Sequence, residues 1–177
     1  MLATYPEEIH SRISTRDYDF FTPQTLKGAD IYLFRMILHD WPAVDALKIL
    51  KNHLDALKAN PRARLIIMDT VLPLPGTTST VEEALLRVRD LTMIQAFNSK
   101  ERELGEFIKL FTQACDQDGC LQLMNIIKPP GSVMSVMEVS YQLFSNEEAA
   151  STMGNGHENG AINGNGATAS TLVDGSF

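Results

Sequence analysis

Two short apolar runs constrain this chain most tightly: Ile31-Tyr-Leu-Phe-Arg-Met-Ile-Leu38 and the Leu-Ile-Ile-Met of 65–68. The first predicts a strand over Ala29–Met36. It is continuous rather than alternating, as expected of a parallel strand covered on both faces. Pro42 suits the first turn of a helix. Ala46, Leu47, Ile49, Leu50, Leu54 and Leu57 then recur at helical spacing, with Lys48, Lys51, Asn52 and Asp55 opposite, until Asn60-Pro61 stops the helix. Arg64 to Val71 is the second strand, with Asp69 near its C-terminal end. A strand, a helix and a second strand in this order point to a parallel unit with helical crossovers.

Pro73, Pro75 and Gly76 make the next stretch a loop. Thr80 is the expected N-cap of a helix running to about Phe97, with Glu82 and Glu83 in its first turn. Asn98-Ser99 is expected to cap a further helix, whose one face is Leu104, Phe107, Ile108, Phe111 and Ala114. Leu121–Ile127 and Ser132–Leu143 are two strands joined by Pro129-Pro130-Gly131, hence antiparallel neighbours. The fold class is α/β: parallel units ending in a hairpin suggest the second half of a doubly wound sheet, with about four strands and flanking helices. The expected organisation is an irregular segment over 1–16, a partial domain over 17–144 and a Gly/Asn/Ser/Thr-rich tail over 145–177. Such a tail buries too little apolar surface to offset ordering, so disorder is expected there.

Composition narrows the function classes. A net charge of −7 without a basic cluster argues against a nucleic-acid surface. No apolar run approaches a membrane span and the polar, acidic start is no signal peptide, so a cytoplasmic setting is expected. Cys115 and Cys120 are close enough in sequence to bridge. Without a Cys/His cluster beside them, they are expected as reduced thiols at the edge of a core.

His39-Asp40-Trp41 follows the first strand. Side chains at the C-terminal ends of parallel strands are where open α/β sheets place their chemistry. A neutral imidazole there takes a proton from a hydroxyl near neutral pH, and an indole beside it suits a flat ligand. A lone histidine at a strand end is more often a hydrogen-bonded structural residue, so the tripeptide decides little alone.

Five motifs in order decide more: Asp19-Phe20-Phe21, Gly28-Ala-Asp30, Arg35-x-x-x-His39-Asp-Trp41, Asp69-x-Val-Leu-Pro73 and Lys100-Glu-Arg102. Together the sequence from about residue 17 to 142 resembles the C-terminal half of plant and fungal small-molecule O-methyltransferases, S-adenosylmethionine-dependent enzymes of the caffeate and sterigmatocystin type with a Rossmann-like class I fold. The resemblance implies His39 as general base, oriented by Asp69 and Glu101, and no metal. A phenol near pKa 10 and an imidazole near 6.5 require such assistance. A carboxylate on the far ring nitrogen fixes the tautomer and stabilises the imidazolium. Asp69 stands where the plant enzymes most often have Glu. Being one methylene shorter, it is expected to fall short of His39, leaving Glu101 the larger orienting share. A loop cap and a helix first-turn acid are the ordinary alternatives for the two carboxylates.

For the cofactor, the resemblance places Asp19 and Phe20 near the adenine, Arg35 near the ribose–methionine side and Trp41 against the ligand. It places Asp90, Met93 and Ile94 on the face that grips a phenolic or polyketide-like acceptor. Plain core packing is the alternative for Trp41 and Met93. The family is typically homodimeric, but its helical dimerisation region has no counterpart here. Neither has its Gly-rich cofactor loop nor its ribose-binding acid, because the Gly-Asn-Gly pairs at 154–156 and 164–166 follow no strand. A full site is therefore expected to need a segment from a partner chain or a longer gene product. Two other readings stay open: a truncated, non-catalytic remnant binding a partner through an exposed sheet edge, and a same-scaffold enzyme of rearrangement or cyclisation.

Overall fold

A computed structural model of the chain describes residues 6–144. The chain divides into two units, Met1–Phe144 and Ser145–Phe177, and the expected tail disorder falls outside the described residues. Within the first unit the elements are α1 (Glu7–His10), β1 (Ile31–Arg35), a 3-10 turn (Leu38–Asp40), α2 (Ala43–Lys51), α3 (Leu54–Lys58), β2 (Arg64–Leu72), α4 (Thr80–Phe97), β3 (Arg102–Glu103), α5 (Leu104–Gln113), β4 (Gly119–Ile127) and β5 (Met134–Leu143). The segment expected to be irregular thus carries one helical turn, α1.

The strand order is β1-β2-β5-β4. β1 runs parallel to β2, from Ile31 opposite Arg64 to Arg35 opposite Met68. β5 is antiparallel to both β2 and β4, as a hairpin requires. The short β3 adds a parallel pairing of Arg102 with Val71 and Glu103 with Leu72, beyond the point where β1 leaves the sheet. Parallel strands need a crossover; here it is α2 and α3. The expected single helix is broken, because Asn52 caps α2 and α3 restarts at Leu54.

The core lies on one face of the sheet. Tyr32, Phe34, Leu65, Ile67, Leu121, Met137 and Val139 point from the strands into Ile49, Leu50, Leu54 and Leu57 of the crossover and Phe107, Leu110 and Phe111 of α5. Each buried large side chain contributes about 1.5–3 kcal/mol of transfer free energy. The expectation that both faces of β1 are covered is corrected: its residues alternate, and Ile31 and Leu33 remain 61% and 55% exposed.

Three local expectations also change. Ser79, not Thr80, caps α4, its Oγ accepting from the Glu82 N–H at 3.3 Å. Asn98 ends α4 instead of starting a helix: its φ of 51° is the left-handed conformation of a helix C-terminus. α5 is capped by Glu103 in a box with Glu106, which accepts from the Glu103 N–H at 3.1 Å. Cys115 and Cys120 are not reduced thiols. An isolated antiparallel bridge pairs the two residues, their Cα atoms lie 4.1 Å apart, and they form a disulfide.

Candidate functional site: a carboxylate-flanked histidine

Beyond β1 the chain turns sharply. Met36 adopts φ 55°, and its N–H donates to the Met68 carbonyl at 2.9 Å, so the chain stays beside β2 as it turns. Leu38, fully buried, anchors the 3-10 turn in the core, and His39 follows at 2% exposure. Asp69 lies on β2 and Glu101 immediately before β3. The pairing of β3 with the end of β2 therefore brings a residue 62 positions away against the ring of His39.

His39 Nδ1 lies 3.2 Å from Asp69 Oδ1 and 3.3 Å from both oxygens of Glu101. Asp69 Oδ2 also accepts from the His39 backbone N–H at 3.2 Å. The expectation that Asp69 is too short is corrected: β2 carries it close enough that one carboxylate reaches ring and backbone together. Nδ1, facing two carboxylates, is the donor nitrogen. Nε2 faces the other way, 3.2 Å from Asp40 Oδ1, whose side chain is one-third exposed. Both carboxylates beside Nδ1 are fully buried.

Burial alone pushes the His39 pKa down, but the Glu101 hydrogen bond and the charges of Asp69, Glu101 and Asp40 outweigh it and raise the pKa above 6.5. Asp69 is pushed up to about 6, chiefly by burial and against the pull of His39. His53, the other buried histidine among the described residues, is the contrasting case. Its Nδ1 meets the Ile49 carbonyl at 2.9 Å and its ring sits edge-on to Tyr18, Tyr32 and Phe34. Burial lowers its pKa, against that backbone hydrogen bond, so it is a neutral packing residue. His39, Asp69 and Glu101 also offer ligand atoms within 4.8 Å of one another, the spacing of a cation site. Here those atoms face each other across the hydrogen-bonded triad.

Other expected residues divide. Trp41 is half-buried and meets Phe21 edge-on at 4.7 Å and Phe20 at 5.8 Å between centroids. The Phe20 carbonyl accepts from the Asn52 side chain at 3.0 Å, tying this loop to the end of α2. Asp19 is exposed and its carboxylate accepts from the Phe21 N–H at 2.9 Å. Arg35 is exposed at the end of β1. Asp90 serves the triad, its Oδ1 accepting from the Glu101 N–H at 2.9 Å. Met93 is half-buried, and Ile94, 53% exposed, lines a cavity of about 230 Å³ with Pro42, Ser99 and Arg102.

Two arginines escaped the sequence reading. Arg89 donates to Glu101 Oε1 at 2.6 Å. Arg102, 2% exposed, donates to the carbonyls of Leu38 and Trp41, each at 2.6 Å. The one signal in the sequence was that Arg102 adjoins Glu101 in the Lys-Glu-Arg motif. Nothing marked Arg89 out from other helix-surface cations.

Parallel strands closing on an antiparallel hairpin, with helices packed on the sheet, make this the C-terminal half of a Rossmann-like, class I methyltransferase fold. The chain belongs to the O-methyltransferase domain family, which it matches over residues 3–116. It is 51% identical over 137 residues to O-methyltransferase fsr2 of Gibberella fujikuroi, a match covering 77% of this chain and 34% of that one. Among solved structures, a pericyclic reaction enzyme superposes with TM-score 0.66 at 31% identity, over 79% of this chain and 32% of its own. LepI in complex with SAM gives the same TM-score, identity and coverage. The chain thus spans about a third of the length of these relatives. Among the described residues no helix is long and apolar enough to cross a membrane.

Proposed function

We propose that this chain carries the proton-transfer half of an S-adenosylmethionine-dependent O-methyltransferase acting on a phenolic or polyketide-like hydroxyl. The observation that carries the reading is the buried imidazole with Nδ1 between two carboxylates and Nε2 turned toward the one-third-exposed Asp40. Fixed in this way, the neutral ring presents a lone pair on Nε2. The acceptor hydroxyl gives its proton to Nε2 as the oxygen becomes a nucleophile, and Asp69 and Glu101 stabilise the imidazolium. Asp40, one-third exposed beside Nε2, faces the ring where its proton leaves to solvent, and the acceptor hydroxyl takes that place once the ring is neutral. S-adenosylmethionine, when bound, supplies the electrophilic methyl group. The residues that would hold it are Trp41 and Phe20, with the exposed Asp19 carboxylate and Arg35 guanidinium. Asp90, Met93 and Ile94 remain candidates for the acceptor side, although Asp90 already holds Glu101.

The test is an incubation with S-adenosylmethionine and a panel of phenols, using both the 177-residue chain and the full product of its gene. Gain of one methyl group by an acceptor, abolished in His39→Ala, is the expected result. No gain with either form refutes the reading. The resemblance to the pericyclic enzyme favours a second reading, rearrangement on the same scaffold. A product equal in mass to its substrate would select it.

A further inference from the structure

We propose that Arg102 is a positioning residue: its guanidinium, fixing the carbonyls on either side of His39-Asp40, sets where the imidazole stands relative to Asp69 and Glu101. This deepens the proposed function and rests on it only for the catalytic consequence.

Arg102 is a cation at 2% exposure, a costly state unless its donors are used. Its two hydrogen bonds, both 2.6 Å, go to main-chain carbonyls. Asp69, Glu101 and Glu106 compensate its charge at longer range. A guanidinium fork presents two parallel donors that an ammonium cannot, and here the fork spans the turn from Leu38 to Trp41.

The turn holds itself weakly. Its own hydrogen bonds, Asp40 N–H to Ile37 O and Trp41 N–H to Leu38 O, are 3.2 and 3.3 Å long. Met36, two residues before the turn, has φ 55°, a conformation costing a non-glycine residue roughly 1–3 kcal/mol. Pro42 follows and donates nothing. The clamp comes from β3, the pairing that also delivers Glu101. One dipeptide therefore supplies both a carboxylate for the ring and a fixture for its backbone. The margin is small: His39 Nδ1 stands 3.2–3.3 Å from the carboxylates, and a shift of about 1 Å ends both hydrogen bonds.

The experiment titrates the His39 ring by NMR in the wild-type chain and in Arg102→Lys, which keeps the charge and loses the fork. The resonance is assigned by its loss in His39→Asn. Positioning predicts a fall in the His39 pKa of about one pH unit, because the carboxylates lose their contact with Nδ1. A lowered melting temperature with an unchanged His39 titration would mark Arg102 as merely structural and overturn the proposal. Arg102→Gln tests it with opposite signs. Loss of a nearby positive charge alone raises the His39 pKa, so a fall supports positioning, and a rise or no change overturns it. Should neither variant fold, the wild-type protein still decides. A closed clamp gives separate, slowly exchanging Arg102 Nη–H resonances, and a single averaged set refutes it. In an active form, Arg102→Lys should lower kcat about tenfold with KM unchanged. A wild-type protein that transfers no methyl group would remove the proposed function and leave the titration result standing.

Discussion

Replacing Glu101 with Gln removes a negative charge 3.3 Å from His39 Nδ1 and keeps the side chain's volume. The buried carboxylate serves two donors at once, His39 Nδ1–H and the Arg89 Nε–H at 2.6 Å. A carboxamide offers one acceptor oxygen and must turn its NH₂ toward the other donor, so one contact becomes repulsive. A full charge at that distance, with an effective dielectric near 20, favours imidazolium by about 5 kcal/mol. Arg89 cancels much of this, while Asp69 and Asp40, each 3.2 Å from a ring nitrogen, remain. The expected fall in the His39 pKa is about one to two pH units, about 1.4–2.7 kcal/mol. Ring-proton shifts followed against pH measure it directly. A raised folded-state pKa contributes stability that is present below 6.5 and lost as pH rises through the folded value. Glu101→Gln should therefore destabilise the fold more on the acid side of neutrality than at high pH. In an active form the acid limb of the pH–rate profile should move down with the pKa, because only the neutral ring accepts a proton. The plateau rate should fall roughly 10²-fold, less than for loss of a sole orienting carboxylate, since Asp69 remains. An unchanged or higher His39 midpoint would refute the electrostatic argument, and an undiminished plateau would refute the orienting role.

Asp69→Asn should flatten the dependence of stability on pH between about 4 and 6. A carboxyl raised from 3.8 to about 6 favours the fold while protonated and loses that contribution as pH rises. The variant should gain on wild type by up to about 3 kcal/mol across that window in urea titrations; a constant difference contradicts it. Asp69→Asn should also cost a methylation rate no less than Glu101→Gln does, because Asp69 touches both ring and backbone; a silent Asp69→Asn refutes this. Reducing the disulfide between Cys115 and Cys120 releases a short loop and should cost about 2 kcal/mol, read as a lower melting temperature with reductant. Phe111→Ala, at a fully buried core position, should cost about 3–5 kcal/mol by chemical denaturation; a cost under 1 kcal/mol would contradict the one-sided core.

The sequence by itself determined the order of the long strands and helices, though not α1, β3 or the break between α2 and α3, because apolar period, prolines and turn residues act over a few positions. It placed β1, β2, α4 and the β4–β5 hairpin within a few residues of where they lie. It singled out His39 because a motif marks a strand end. Its boundary errors are local competitions: Ser79 against Thr80 as a cap, and Asn98 ending a helix rather than starting one. Tertiary structure alone decided the rest. Which face of β1 stays open depends on what packs against it, and an apolar run is the same whether one face or two are covered. The disulfide depends on a bridge that seats Cys115 opposite Cys120. The reach of Asp69 depends on backbone register rather than side-chain length. Arg102 clamps the His39 turn, and Glu101 reaches its ring, through a two-residue pairing between β2 and β3; a motif could name Glu101, but no local period encodes a hydrogen bond spanning more than 60 residues.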